Sequence, residues 1–333
     1  MSRHKLNKMV LYHQVGFSLW NMTEERAGDL KNLFPDIHFI NTPDVPALAE
    51  QIVDADALCS MRITPDLFGT ATKLKWIHSV AAGIGGLMIP EVLASDVVIT
   101  NARGIFSTVM AEHTLGMMLA FSRRLLDSYR YQQHRQWART ILGELEPQMG
   151  EISGKTLGII GYGSIGREIA RRARGFGMRI LALKKDPSTG GEDADQVFTL
   201  GQRNELLKDS DFVVLALPHT PDTKQVLGEA EFKVMKSSVY IINIGRGRLI
   251  DENALLHALR DGRIAGAGLD VFATEPLPAD HPLWDEPNVL ITPHSAAIFP
   301  EFWPRSLALL AENIRRFRSG ETLKNLVDKK RGY

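Results

Sequence analysis

The most informative stretch of this chain is Thr156-Leu-Gly-Ile-Ile-Gly161-Tyr-Gly-Ser-Ile-Gly166-Arg-Glu-Ile-Ala-Arg-Arg-Ala173. Its first five residues form a mostly apolar run of strand length, and the residues after Gly166 follow a helical pattern. We expect Gly161 to permit a tight turn, Gly163 to let backbone amides approach a ligand, and Gly166 to let helix and strand pack closely. The stretch therefore predicts a strand, a tight turn and a helix.

This arrangement matches the Gly-x-Gly-x-x-Gly pattern of dinucleotide-binding proteins. The amino end of the helix would present backbone amides and the positive end of its dipole to a pyrophosphate. The alternative is a glycine-rich turn that binds no ligand, but the flanking strand and helix favour a dinucleotide. The predicted cofactor-binding residues of the turn are Gly161, Gly163, Ser164, Ile165 and Gly166.

The end of the second strand of this region bears on the choice of cofactor. Enzymes that use NAD usually carry an acidic residue there, which holds the ribose hydroxyls. In this chain the strand Arg179–Leu183 runs into Lys184-Lys185-Asp186. Lysines at this place would neutralise the additional phosphate of NADP. The sequence thus favours NADP(H) over NAD(H), with Lys184 and Lys185 as contacts, unless Asp186 performs the acidic role.

Strand and helix patterns alternate along most of the chain, which predicts an α/β protein with parallel sheets. The length of 333 residues indicates two domains. Short helices or turns are predicted at 23–34, 45–54 and 65–71 and helices at 165–175, 252–262 and 301–319, and residues 107–139 form one continuous helical pattern. The predicted strands are Lys8–His13, Ile37–Ile40, Ala57–Ser60, Trp76–Val80, Val97–Asn101, Thr156–Gly161, Arg179–Leu183, Phe212–Leu217, Val239–Ile244, Ala265–Asp270 and Val289–Thr292.

Composition limits the class of protein. Lys and Arg together number 39, and so do Asp and Glu, so no net charge attracts nucleic acid. The single cysteine, Cys59, excludes an internal disulfide framework and fits a reducing compartment. The apolar runs are too short to span a membrane, and no signal peptide is recognisable at the amino end. We expect a cytoplasmic protein without membrane or nucleic-acid partners.

Three polar residues follow predicted strands in the second half of the chain. Arg246 lies in Ile-Asn-Ile-Gly-Arg-Gly, Glu275 precedes Pro276, and His294 lies in Thr-Pro-His-Ser. Strand carboxyl ends of an open α/β sheet are where ligands bind, so these residues are expected to converge. Arg246 could hold a substrate carboxylate through two parallel hydrogen bonds, and His294 could donate the proton that a reduced carbonyl requires. Glu275 would fix the orientation of the histidine ring.

From about Trp76 to Asn325 the sequence resembles the D-isomer-specific 2-hydroxyacid dehydrogenase family. The resemblance implies that Arg246, Glu275 and His294 are the catalytic residues and that Asp270 contacts the nicotinamide amide. It also implies that the loop from Leu217 to Thr223 borders the cofactor, with Pro218, Thr223 and Ile244 as further contacts. The stretches that carry it are the glycine turn, Leu217–Thr223, Asn243–Gly247, Gly266–Phe272, Glu275–Pro278 and Thr292–His294.

The same resemblance implies how the domains are arranged. Residues 1–102 and 300–333 would form a flavodoxin-like substrate domain, into which a Rossmann cofactor domain, residues 103–299, is inserted. A bound acid would contact Arg246 and His294 together with the backbone of Ala82 and Gly83, since glycine leaves room for a carboxylate. The alternative is that the segment 79–85 is only a strand-to-helix turn.

The expected reaction is hydride transfer between NAD(P)H and a small 2-keto or 2-hydroxy acid, and the resemblance favours a glyoxylate or hydroxypyruvate reductase. A phosphoglycerate dehydrogenase is an alternative, as is a nucleotide-sensing corepressor of the same fold, which would bind cofactor without turnover. The family's helical arm, here residues 107–139, implies a homodimer in which Trp137 either touches the partner's site or only anchors the arm. His113 is interpreted as a core histidine, and no metal site is expected.

Overall fold

The computed structural model describes residues 5–15, 18–188, 190–330 and 332. The chain divides into two compact units. The first consists of Met1–Phe106 and Phe299–Tyr333, and the second of Ser107–Ile298. The chain therefore passes between the units at 106/107 and 298/299, where the sequence predicted 102/103 and 299/300.

The first unit contains a parallel sheet in the order β2-β1-β3-β4-β5, which is the flavodoxin-like order. Its strands are largely buried, as expected for a parallel sheet that is covered on both faces. Thr23, Asp44 and Thr64 each cap a following helix by accepting a hydrogen bond from a backbone amide. The strands are β1 (Lys8–Leu11), β2 (His38–Asn41), β3 (Ala57–Cys59), β4 (Trp76–His78) and β5 (Val98–Thr100), and the helices before residue 106 are α1 (Glu24–Leu33), α2 (Val45–Gln51), α3 (Pro65–Thr70) and α4 (Pro90–Leu93).

The second unit contains a larger parallel sheet. Its strands are β6 (Thr156–Ile160), β7 (Arg179–Leu183), β8 (Gln196–Phe198), β9 (Phe212–Leu215), β10 (Tyr240–Asn243), β11 (Gly266–Leu269) and β12 (Val289–Ile291). The sheet order is β12-β11-β10-β9-β6-β7-β8, so the direction of winding reverses between β6 and β9. This is the doubly wound Rossmann order, in which ligands bind beyond the strand carboxyl ends at the reversal.

The helices of the second unit are α5 (Ser107–Ser122), α6 (Leu125–Gln133), α7 (Arg139–Glu144), α8 (Ser164–Gly175), α9 (Arg203–Asp209), α10 (Glu229–Val234) and α11 (Glu252–Arg260). The short strand β8 was not predicted, because three residues carry too little periodicity. No helix in the described part of the chain is long and apolar enough to cross a bilayer.

The prediction of one continuous helix over residues 107–139 is wrong. The segment is divided between α5 and α6 at Arg124, whose φ of 52° is left-handed, and again after His134, where Arg135 has φ 53°. The Arg124 guanidinium donates to the carbonyl of Pro147 and to Asp127, at 3.0 Å for the latter. These partners fix a backbone conformation that no helical pattern in the sequence encodes.

The last helix, α12 (Phe302–Ser319), returns the chain to the first unit. Its first turn lies in an aromatic cluster in which Phe302 stacks on Trp20 at 4.9 Å and on Phe106 at 5.8 Å. Trp303 meets the ring of buried His13 edge-on at 5.6 Å and donates its indole N–H to the Leu19 carbonyl. The aromatic residues at the start of α12 thus form part of the core.

Candidate active site

The glycine turn follows β6 at the carboxyl edge of the second sheet. Gly161 has φ +105°, and a Cβ atom there would lie 2.6 Å from the backbone carbonyl of Ala216. A Cβ atom on Gly166 would lie 2.3 Å from the carbonyl oxygen of Gly161, so the first turn of α8 packs directly on the end of β6. These two contacts are the tight turn and the close packing that the sequence predicted for these glycines.

Gly163 differs from its neighbours, since a Cβ atom there would meet nothing within 4 Å. Gly163 is the N-cap of α8, which begins with Ser164 and Ile165. Because glycine has no side chain, it makes no capping hydrogen bond to the backbone amides of the first turn. The space beside Gly163 and the amino end of α8 together suit a pyrophosphate. The residues of this turn therefore fit a dinucleotide cofactor.

Two loops beyond neighbouring strands border the same edge. Beyond β9, the Thr223 hydroxyl donates to the Pro218 carbonyl at 2.7 Å and accepts from the Thr220 amide at 2.8 Å, which closes the loop on itself. Beyond β10, the Ile244 amide donates to the Leu215 carbonyl at 3.2 Å. Pro218 and Thr223 thus follow β9, the neighbour of β6 in the sheet, and Ile244 follows β10, the next strand.

Lys184 is the first residue after β7, and its amide donates to the Phe198 carbonyl at 3.0 Å. Its Nζ lies 3.4 Å from the position that a Cβ on Gly190 would take, and Nη1 of Arg167 lies 3.0 Å from the same point. Glu192 approaches that point at 3.9 Å. Two cations therefore face one small region of the β7–β8 loop, with one carboxylate beside them. Lys185, the next residue, is exposed.

Arg246 lies three residues beyond the end of β10, in a turn shaped by a buried asparagine. Asn243 donates through Nδ2 to the Arg246 carbonyl and accepts from the Gly245 amide through Oδ1, both at 3.0 Å. Arg246 itself donates through Nη1 to the Gly245 carbonyl at 2.6 Å. Sequence reasoning missed the role of Asn243, although a polar residue that ends an apolar strand is a signal for such a turn.

Glu275 and His294 form a hydrogen-bonded pair. The histidine Nδ1 lies 2.7 Å from Oε2 of the carboxylate, and Oε1 accepts from the Phe272 amide at 2.9 Å. Since an ionised carboxylate can only accept, Nδ1 carries the proton and Nε2 is the nitrogen left for substrate. His294 has a left-handed φ of 53°, and its amide donates to the Asp270 carbonyl at 2.9 Å.

Glu275 also acts on Arg246. Burial lowers the pKa of Arg246 below its ordinary value, and the carboxylate of Glu275 acts in the opposite direction. One acidic group therefore stabilises the guanidinium and orients the imidazole. The structure brings Arg246, Glu275 and His294 together at the carboxyl ends of β10, β11 and β12, which are neighbours in the sheet.

The proposed substrate loop lies in the first unit, after β4. The Ala82 carbonyl accepts from Nδ2 of Asn101 at 2.9 Å, and the Ala81 amide donates to the Ser79 hydroxyl at 3.2 Å. Gly83 precedes the short 3₁₀ turn Gly85–Leu87. The loop is thus held by the end of β5 at the carboxyl edge of the first sheet, the edge at which flavodoxin-like folds bind ligands.

The interpretation of His113 as a core histidine is wrong. Its side chain is partly exposed, and its Nε2 lies 3.2 Å from Oγ1 of Thr292, whose hydroxyl donates to buried Asp270 at 2.5 Å. The helical pattern of α5 placed His113 correctly among apolar residues, but it could not show that the amino-terminal half of this helix lies beside the carboxyl edge of the sheet.

A doubly wound sheet with a dinucleotide-binding turn, and with arginine, glutamate and histidine beyond neighbouring strands, defines a nicotinamide-dependent dehydrogenase. Residues 115–296 match the profile of the D-isomer specific 2-hydroxyacid dehydrogenase NAD binding domain. The chain belongs to the D-isomer specific 2-hydroxyacid dehydrogenase family and is an oxidoreductase that transfers hydride between a nicotinamide cofactor and a small 2-keto or 2-hydroxy acid.

Individual relatives agree with this class. The chain is 36% identical over 294 residues to a glyoxylate reductase of Korarchaeum cryptofilum, covering 86% of each protein. It is also 36% identical to a D-3-phosphoglycerate dehydrogenase of Methanocaldococcus jannaschii, covering 84% of this chain and 53% of that protein. An NADPH-dependent glyoxylate/hydroxypyruvate reductase of Sinorhizobium meliloti, solved with NADP and sulfate, superposes with a TM-score of 0.81 at 28% identity, covering 98% of this chain and all of that one. These relatives are enzymes and do not favour the corepressor alternative.

Proposed function

We propose that this protein is an NADPH-dependent reductase of glyoxylate or hydroxypyruvate. The observation that carries the proposal is the 2.7 Å contact between Glu275 and His294, with Arg246 acted on by the same carboxylate. This arrangement offers a guanidinium for the carboxylate of a 2-keto acid and an imidazole for its carbonyl oxygen. The glyoxylate reductase of Korarchaeum cryptofilum and the reductase of Sinorhizobium meliloti support the choice of a small keto acid.

Each residue has a separate task in this proposal. Arg246 binds the substrate carboxylate, and the contact of the acid with the backbone at Ala82 and Gly83 stays a prediction from the sequence. His294 donates its Nε2 proton to the carbonyl oxygen, and Glu275 stabilises the imidazolium that serves as the donor. The bound nicotinamide supplies the hydride, for which the glycine turn, Pro218, Thr223, Ile244 and Asp270 provide the binding surface. Positioning of the acid against these fixed charges accounts for most of the acceleration.

The preference for NADP(H) over NAD(H) rests on the end of β7. Lys184 follows the strand directly, where an enzyme that uses NAD would place a carboxylate. Arg167 faces the same region of the loop. The nearest acidic alternative, Asp186, accepts from the amide and hydroxyl of Ser188 at 3.0 and 2.6 Å, which occupies one of its oxygens in a local turn. The 2′-phosphate of NADP could form ion pairs here with Lys184 and Arg167.

The test is the rate at which the purified protein consumes NADPH and NADH with glyoxylate, hydroxypyruvate, pyruvate and a bulky aryl keto acid. Faster NADPH consumption with glyoxylate or hydroxypyruvate supports the proposal. Preference for NADH would leave the proposed keto-acid reduction standing but would overturn the proposed role of Lys184. Oxidation of D-3-phosphoglycerate in preference to all these reductions favours the phosphoglycerate dehydrogenase alternative, and tight nucleotide binding without any turnover overturns the proposed substrates.

We further propose a homodimer that forms through residues 107–139. Several large apolar side chains of this arm are exposed, and Trp137 is 92% exposed. Tryptophan is enriched among the residues that contribute most to protein–protein binding, so its exposure here supports an interface. A monomeric mass of about 37.1 kDa in light scattering would contradict the dimer. Contact of Trp137 with a partner's site and a cytoplasmic location stay predictions from the sequence.

A further inference from the structure

One face of helix α5 runs along the second sheet from its amino edge to its carboxyl edge. Phe121 stacks on Tyr240, the first residue of β10, with ring centroids 4.8 Å apart. Sδ of Met117 lies 2.9 Å from the position of a Cβ on Gly268, in the middle of β11. His113, four residues earlier on the same face, therefore reaches the carboxyl edge, where β11 gives way to Asp270.

The hydrogen bonds at this edge have a defined direction. Oγ1 of Thr292 lies 2.5 Å from Oδ1 of Asp270 and 3.2 Å from Nε2 of His113. An ionised carboxylate only accepts, so the single hydroxyl proton of Thr292 goes to Asp270. The hydroxyl oxygen must then accept from His113, which makes His113 the donor and places its proton on Nε2. Burial lowers the pKa of His113 while Asp270 opposes that shift, which is consistent with a neutral ring that holds one proton.

This chain of hydrogen bonds ends on the Asp270 carboxylate, whose two oxygens accept different numbers of hydrogen bonds. Oδ1 of Asp270 accepts from Thr292 and from the amide of Ser295 at 2.8 Å, with the amide of Ala296 at 3.2 Å. Within the described residues, Oδ2 accepts only from Ala296, at 3.1 Å. Since a carboxylate oxygen can accept about two hydrogen bonds, Oδ2 retains capacity for another donor.

We propose that His113 is a positioning residue which, through Thr292, orients the Asp270 carboxylate so that Oδ2 receives the carboxamide N–H of the nicotinamide. The inference rests on the proposed function, because it requires a nicotinamide cofactor at this edge. In this proposal His113 donates to Thr292, and Thr292 in turn fixes the rotation of the Asp270 carboxylate group. Hydrogen bonds in such a chain polarise one another, so loss of the first donor weakens the acceptor at its end.

Two substitutions at residue 113 separate this role from mere filling of space. Nε2 of glutamine is as many bonds from Cα as Nε2 of histidine, and Nδ2 of asparagine is as many bonds away as Nδ1. His113→Gln therefore keeps a donor for Thr292, and His113→Asn removes it. We expect His113→Asn to weaken NADPH binding about fivefold to tenfold, as loss of one neutral hydrogen bond from the chain implies, and His113→Gln to stay within about twofold of the wild type. His257→Asn, at an exposed position of α11, is the matched control.

The role of Thr292 is tested by a double-mutant cycle on NADPH affinity, measured by nucleotide fluorescence without any keto acid. If His113 acts through Thr292, His113→Asn should have little additional effect in a Thr292→Val background. Multiplicative effects of the two substitutions overturn the proposal, as does equal weakening by the asparagine and glutamine variants. In addition, ¹⁵N spectra of histidine-labelled protein without cofactor should show the Nε2–H tautomer for His113, and the Nδ1–H tautomer contradicts the inference.

The outcomes distinguish this inference from the proposed function. A wild type that binds NADPH but reduces no small keto acid overturns the proposed substrates and leaves the affinity test of His113 intact. A wild type with the proposed turnover, together with identical affinities in the two variants and the wild type, overturns only the role of His113. A protein that binds neither nicotinamide nucleotide overturns both.

Discussion

The backbone of Gly247 packs directly against the carbonyl group of Phe272, so that a Cβ atom on Gly247 would lie 1.8 Å from the Phe272 carbonyl carbon. The turn that carries Arg246 and the turn that carries Glu275 are thereby in backbone contact. The Glu252 carboxylate adds a second link, because it accepts from the Ala273 amide at 2.8 Å. The relative position of Arg246 and Glu275 therefore depends on a glycine between them.

Gly247→Ala should separate these two turns and remove activity. The overlap can be relieved only if one backbone moves, and a shift of about 1 Å in a reacting group can cost about 100-fold in rate. We expect a loss of that order in kcat/KM for the keto acid, with nucleotide affinity less affected. Gly175→Ala, where a Cβ meets nothing within 4 Å, is the control. Wild-type kinetics in Gly247→Ala would show that the contact does not position the site.

Gly163→Ala and Gly166→Ala should behave differently, although both glycines belong to one turn. A methyl group on Gly166 collides with the Gly161 carbonyl, so we expect a loss of about 1–3 kcal/mol in the free energy of unfolding together with weaker nucleotide binding. A methyl group on Gly163 enters open space, so stability should change by less than about 1 kcal/mol while nucleotide affinity falls. Thermal unfolding and NADPH titration of both variants check this, and wild-type affinity in Gly163→Ala would place the pyrophosphate elsewhere.

Lys184→Asp should shift the preference from NADPH toward NADH. The substituted carboxylate would repel a 2′-phosphate and could accept from the ribose hydroxyls. We expect the ratio of kcat/KM for NADPH over NADH to fall at least about tenfold, the equivalent of about 1.4 kcal/mol. Lys185→Asp makes the same charge change one residue further from the strand and should have a smaller effect. Equal effects of the two variants would indicate general electrostatics rather than a contact.

Glu275→Gln should weaken proton donation by His294. The amide oxygen can still accept from Nδ1, but the negative charge that stabilises the imidazolium is lost. We expect kcat for keto-acid reduction to fall by about 100-fold. The measurement is kcat of both proteins, with nucleotide affinity as the control. An unchanged kcat would mean that Glu275 has only a structural role.

The first unit should lose stability in mild acid because it buries two histidines. Burial lowers the pKa of His13 to about 4 and that of His78 to about 3. Unfolded histidines bind a proton near pH 6.5, so as the pH falls the unfolded state takes up protons that the folded state does not bind, down to about pH 4 for His13 and about pH 3 for His78. Burial of neutral His13 and His78 therefore leaves the free energy of unfolding undiminished above about pH 6.5. This free energy falls as the pH drops below that value.

His13→Phe should reduce this acid sensitivity. Phenylalanine keeps an aromatic ring against Trp303 and binds no proton. The difference in the free energy of unfolding between pH 7 and pH 4.5 should shrink by about 2 kcal/mol. Fluorescence of the buried Trp76 and Trp303 reports on the first unit during urea unfolding at each pH. His257→Phe, at an exposed site, is the control, and an unchanged pH dependence in His13→Phe would contradict the prediction.

Most of the fold was predictable because its signals are local. The apolar runs at Thr156–Ile160 and Arg179–Leu183 are strands in the structure, and the glycines between strand and helix have the conformations that their spacing implied. The failure at Arg124 has the opposite cause. Its left-handed backbone is held by Pro147, which is distant in sequence, while the residues around it follow an uninterrupted helical pattern.

The site was predictable to the extent that strand ends share an edge. Arg246, Glu275 and His294 each follow a strand, and parallel strands place their carboxyl ends together. Their mutual contacts could only be assumed, because the distance between Glu275 and His294 depends on how two loops fold. Asn243 was overlooked, since its importance lies in two hydrogen bonds within a turn and not in its own chemistry.

Most of the strands, the glycine turn and the membership of the family could be derived from the sequence alone, because these are recorded in short runs of neighbouring residues. The contact of His113 with Thr292, across 179 positions of the chain, depends on the tertiary structure. That contact exists because one face of α5 packs along the sheet and ends at its carboxyl edge. A helical period specifies which side chains share a face, but the partner of that face is set by packing between distant segments.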